Sequence, residues 1–120
     1  MLLIVEDERD VRAVLLELLT LNGHTGIAAS NGREALQLLK TRSTLPQVIL
    51  LDMIMPVLDG WGFLSERGKD PRLALIPVIV ISATLGIERK AEAAGATTVL
   101  RKPVNPDVLL SAVDRCLNAA

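Results

Sequence analysis

The sequence has no tyrosine, one phenylalanine and one tryptophan, so aromatic residues fill only 2% of its 120 positions. Proteins that hold single-stranded nucleic acid stack bases on such rings along a basic groove. Neither part is present, because thirteen Lys and Arg stand against fourteen Asp and Glu for a net charge of -1. Direct nucleic-acid binding is therefore not expected. Cysteine is equally scarce. Cys116 is alone and cannot close an internal disulfide, and its place in a periodic apolar segment suits a packed side chain in a reducing compartment. With a single histidine, His24, the chain also lacks the ligands zinc prefers. No apolar run reaches the ~18 residues needed to cross a bilayer, so no membrane partner is expected. The start, "MLLIVEDE", soon turns acidic and has neither the basic region nor the cleavage site of a secretory signal. A cytoplasmic protein is expected.

Half of the residues are hydrophobic and 22% are charged, which at this length predicts one globular domain over residues 1–120. Short apolar runs alternate with longer segments of helical period, the pattern of βαβ units around a parallel sheet. The runs at 2–5, 25–29, 48–51, 78–81 and 98–100 predict five strands. The spacing of Val11, Leu15, Leu18 and Leu19 predicts a first helix, closed by Asn22-Gly23, a pair suited to a left-handed cap. A second helix follows Asn31-Gly32, a third runs from Leu58 to Arg67 and a fourth from Ile87 to Ala94. The fifth begins at Asn105-Pro106 and carries the stripe Val108, Leu109, Ala112, Val113, Cys116 and Leu117. The fold predicted is a flavodoxin-like, doubly wound five-stranded parallel sheet in the order 2-1-3-4-5, with five helices.

In such sheets ligands collect at the carboxyl ends of the strands, where strand order reverses. Glu6 and Asp7 follow the first strand, Asp52 the third, Ser82 the fourth and Lys102 the fifth. Strands one, three, four and five are contiguous in the predicted order, so these side chains meet at one edge. Three carboxylates there repel one another and imply a cation. Oxygen-only donors with room for water suit Mg2+, or Mn2+. Lys102 and the Ser82 hydroxyl can hold the oxygens of a phosphoryl group beside it, and Asp52 is placed as the nucleophile that accepts one. Each residue alone has an ordinary reading. Asp7 could cap the first helix, Ser82 could be a turn residue and Lys102 a surface charge. Met53 and Met55 read as packing, and Glu88, Arg89, Lys90 and Glu92 as a solvated helix face. Their joint appearance at four strand ends is what the ordinary readings do not explain.

"VEDE" with Glu6-Asp7, "LLDMIMPVLDG" with Asp52, "VIVISA" with Ser82 and "RKP" with Lys102 together resemble the receiver domains of two-component response regulators, including the single-domain chemotaxis regulator type. The resemblance covers essentially the whole chain. It implies that Asp52 receives a phosphoryl group from a histidine kinase or phosphotransfer protein. It further implies that Asp7, Asp52 and the backbone carbonyl of Ile54 bind Mg2+, that Glu6 acts through water, and that Ser82 and Lys102 contact the phosphoryl oxygens. A cis Lys102-Pro103 bond is expected on the same ground. Such a protein is a signalling domain that catalyses its own phosphorylation and dephosphorylation, and it engages a downstream protein through its fourth helix, fifth strand and fifth helix. Two departures bear on output. The switch position three residues before the lysine, commonly aromatic, is Val99, and the interval from Ser82 to Gly95 is shorter than the common pattern. A pseudo-receiver, a protein-binding module of the same fold without phosphorylation, is the alternative. A flavodoxin-like redox domain would want a hydroxyl-rich phosphate loop after the first strand, and none is present.

Overall fold

The computed structural model describes residues 1–118. Its strands are β1 (Leu2–Val5), β2 (Gly26–Ala29), β3 (Val48–Asp52), β4 (Val78–Ser82) and β5 (Thr98–Arg101). They pair in parallel in the order β2-β1-β3-β4-β5. The helices are α1 (Arg9–Leu21), α2 (Gly32–Thr41), α3 (Gly60–Gly68), α4 (Pro71–Ala74), α5 (Glu88–Ala93) and α6 (Pro106–Asn118). Among the described residues no helix is long and apolar enough to cross a membrane.

Side chains alternate across a strand, and here both faces are covered. Leu3, Val5, Ile49, Leu51, Val78 and Val80 point to one side, where they pack with Ala35 and Leu39 of α2, Phe63 and Leu64 of α3 and Ala91 of α5. Leu2, Ile4, Val48, Leu50, Ile79 and Ile81 point to the other and meet Leu19 of α1 and Leu109, Ala112 and Val113 of α6. This explains why the central runs are apolar at every position. Each buried Leu, Ile or Val stabilises the fold by about 1.5–3 kcal/mol relative to an exposed one, so the sheet is the stiff element on which the strand ends are carried.

Among the described residues there are six helices where the sequence predicts five. The extra one, α4, is a single turn after α3, begun by Asp70, whose Oδ1 accepts the amide of Arg72, with Pro71 in the first turn. The fourth and fifth predicted helices are thus α5 and α6. The third starts two residues later than its apolar pattern suggests. Val57 has φ +71°, and Asp59 Oδ1 accepts the amide of Gly62 at 2.9 Å, so the cap at Asp59 sets the start at Gly60. Both Gly23 after α1 and Gly95 after α5 have positive φ, as their positions at helix ends require. β3, β4 and β5 each run one residue past the predicted end, which places Asp52 and Ser82 within the ladder.

The start of α3 is pressed against the end of β3. The Gly60 amide donates to the Met53 carbonyl at 3.0 Å. A Cβ on Gly60 would lie 2.6 Å from Met53 Cα and 3.0 Å from the Asp52 carbonyl oxygen, so only glycine allows this approach. Gly60→Ala is expected to destabilise the fold by about 2 kcal/mol, because backbone rather than a flexible side chain must move. Urea unfolding checks this, and a variant as stable as the parent would contradict the close packing.

Candidate functional site

β1, β3, β4 and β5 end level with one another, since Val5 pairs with Leu51, Asp52 with Ile81 and Ser82 with Arg101. Beyond these ends the carboxylates of Glu6, Asp7 and Asp52 come together, each offering an oxygen within 4.8 Å of the others. Glu6 and Asp52 are buried, at 3% and 7% exposure, and Asp7 is the most open of the three. Lys102 Nζ lies 3.3 Å from Asp52 Oδ1 and 3.8 Å from Glu6 Oε1. Its backbone amide donates to the Ser82 carbonyl at 3.0 Å, so the lysine is tied to the end of β4, and the Lys102-Pro103 bond that follows is cis.

Burial pushes the Glu6 carboxyl up to about 7, and its hydrogen bonds with Asp52 and Asp7 and the Asp52 charge act in the same direction. The Glu8 amide, 3.3 Å from Glu6 Oε2, pulls the other way and does not offset them. The site is therefore short of positive charge, and oxygen donors so close and so shielded suit a hard divalent cation.

The five side chains predicted to converge are all at this edge of the sheet. Asp7 does not cap α1, whose N-cap is Glu8 with no side-chain hydrogen bond. Ser82 is buried, and its Oγ accepts the Thr84 amide at 3.0 Å, which leaves the hydroxyl proton to donate elsewhere. Ile54 is two-thirds exposed, and its amide donates to Asp52 Oδ1 at 3.3 Å. Val99 pairs with Val80 and packs half-buried against the α2/α3 side of the core.

Two residues play parts that the sequence did not indicate. Arg12 Nη1 donates to the carbonyls of both Glu6 and Asp7, at 2.9 and 3.0 Å, and so clasps the loop that carries two of the carboxylates. Helical side chains lean towards the helix N-terminus, so an arginine one turn into the helix after an acidic pair is the signal that would have found it. Lys90, read as part of a solvated face, stands over the Trp61 ring at 5.0 Å and ties α5 to α3.

A model of the response regulator receiver domain matches residues 2–114. Over 118 residues the chain is 36% identical to the protein named "Probable transcriptional regulator ycf27" of Cyanidium caldarium, covering 97% of this chain and 45% of that one. It is 31% identical over 118 residues to protein PilH of Pseudomonas aeruginosa, covering 97% of this chain and 96% of PilH. The solved receiver domain of NtrX from Brucella abortus superposes with a TM-score of 0.88 at 29% identity, each chain covered in full. A doubly wound sheet with this acidic edge places the molecule in one class. The chain belongs to the response regulator receiver domain family of two-component signalling. It spans between 41% and 48% of the length of four ycf27 relatives.

In the metal-free protein, native Glu6 keeps a proton between its ordinary value of 4.5 and about 7, whereas the unfolded chain has released it. The native state binds more protons in that window, so the contribution of Glu6 to stability is fully present below about 4.5 and is lost as pH rises to about 7. The expected loss, discounted for residual solvent, is about 2 kcal/mol. Urea unfolding of parent and Glu6→Gln at the two ends of the window checks this. The parent should lose stability relative to the variant, and parallel curves would contradict the assignment.

Proposed function

We propose that Asp52 accepts a phosphoryl group from a phosphohistidine donor, on a histidine kinase or a phosphotransfer protein, and that the aspartyl phosphate switches a partner-binding face. The observation that carries this reading is the contact of Lys102 Nζ with Asp52 at 3.3 Å, beside two further carboxylates at the end of a fully buried strand. An oxygen of Asp52 attacks phosphorus while the P–N bond to the donor imidazole breaks. Lys102 and the Ser82 hydroxyl then donate to the phosphoryl oxygens. Asp7, Asp52 and the Ile54 carbonyl would hold Mg2+, or Mn2+ in its place, with Glu6 acting through water. When bound, that ion supplies neutralisation of the charge on the transferring group.

The new group shifts a conformational equilibrium only through contacts that differ between two states. Ser82 and Lys102 are those contacts, and the change starts at the ends of β4 and β5. Val99 has a short, stiff side chain that cannot sweep the volume of an aromatic ring. The change is therefore carried by the loop from Ala83 to Ile87 and the start of α5, and a downstream protein reads it on the face made by α5, β5 and α6.

Asp52→Asn is expected to abolish labelling by acetyl phosphate in the presence of Mg2+. Intact-mass measurement of parent and variant checks this, and undiminished labelling of the variant would remove Asp52 from the role. Hydrogen exchange with and without beryllofluoride and Mg2+ locates the switch. The largest changes are expected at Ala83 to Ile87, with Val99 nearly still, and the reverse distribution would contradict the path.

A further inference from the structure

At the opposite, amino-terminal edge of the sheet, beside Pro77 just before β4 and Thr97 just before β5, the structure has a cavity of about 470 Å3. Arg67, Arg115, Gly95, Thr97, Thr98 and Cys116 are among its lining residues, and none of the residues that line it is acidic. Arg67 is 4% exposed, and among the described residues no carboxylate lies within 4.0 Å of it or of Arg115. Its Nη2 donates to the carbonyls of Ala74 and Ile76 at 2.9 and 2.6 Å, but among the described residues its Nε has no hydrogen-bond partner. Nη1 accounts for none of those bonds and stands against Gly95, whose missing Cβ would come within 3.0 Å of it. A guanidinium buried beside a cavity without an anion is costly, and two carbonyls satisfy only part of its five-donor fork.

Among the described residues no carboxylate lines the cavity. Asp114, the nearest carboxylate to Arg115 in sequence, faces His24 at 3.7 Å instead. Burial raises the pKa of the Cys116 thiol and the charge of its neighbour Arg115 acts the other way. We propose that this cavity is a binding site for a small free oxyanion, a phosphate or carboxylate, held between Arg67 and Arg115 with the threonines at its side. A bracing role for Arg67 explains the two carbonyl bonds but neither the second arginine nor the absence of acid. Because the cavity lies at the far end of the strands from Asp52, a ligand here leaves the acidic edge free.

The test is a titration of the metal-free protein, at constant ionic strength, with sodium phosphate and separately with sodium succinate, followed by amide NMR. Saturating shifts are expected at Gly95, Thr97 and Thr98, with an affinity of about millimolar and no change at Glu6 or Asp52. Arg115→Gln, at an exposed position that leaves the Arg67 braces intact, should weaken binding at least about fivefold without altering the fold. Saturation by one anion alone assigns the ligand to that class, and saturation by both assigns it to oxyanions in general. Shifts that sodium chloride reproduces, no saturation with either anion, or equal affinity in Arg115→Gln would each overturn the proposal.

Discussion

Oxygens of Glu6, Asp7 and Asp52 lie within 4.8 Å of one another, with the Lys102 ammonium between two of them. Two unit charges at ~4 Å repel by about 4 kcal/mol at an effective dielectric of ~20. A flexible chain would relieve that repulsion by moving apart. This one is held: Asp52 ends a strand flanked on both sides and pairs with Ile81 of β4, the Glu6-Asp7 loop is clasped by Arg12, and the Lys102 amide is bonded to the Ser82 carbonyl. Burial first, and the neighbouring carboxylates after it, raise the Glu6 carboxyl to about 7. The sheet therefore stores an electrostatic tension that a cation or a bound phosphoryl group can change, and the site's chemistry follows from it.

The same constraint explains which parts of the molecule could be read from its sequence. Strand ends were legible because Leu3, Leu50 and Ile79 belong to unbroken apolar runs that stop at polar residues, and a parallel sheet brings such ends to one edge. Which residues faced which helix layer was not, since a strand buried on both faces carries no alternation of polarity. The helix at Pro71 was missed because one turn has no periodicity to detect, while the start of α3 was misplaced because Leu58 continues its apolar pattern outside the cap at Asp59. Arg12 acts on the nearby carbonyls of Glu6 and Asp7 and Arg67 on those of Ala74 and Ile76; a bond to backbone leaves no mark in composition, and for Arg12 only its place one turn after the acidic pair signals it.

Ser82 and Lys102 connect the acidic edge to the rest of the fold. The backbone of both residues is part of one β4/β5 connection, and the Ser82 hydroxyl already accepts the Thr84 amide at the head of the loop that leads to α5. From α5, Lys90 reaches back over Trp61, which stands one residue past Gly60 at the pressed junction of β3 and α3. The loop after β4 is thus attached at both ends to groups around Asp52. In the proposed function, a charge added at Asp52 would reach α5 by this route rather than through Val99, whose β-branched side chain packs beside Val80.

In the proposed function, Lys102 shares with a divalent cation the neutralisation of this acidic edge. Calorimetric Mg2+ titration of the parent, Lys102→Met and Asp52→Asn tests it most directly. Tighter Mg2+ binding is expected when Lys102 is removed, because a competing cation is lost, and weaker binding when Asp52 is neutralised. Binding that is unchanged or weaker in Lys102→Met, or undiminished in Asp52→Asn, would contradict it.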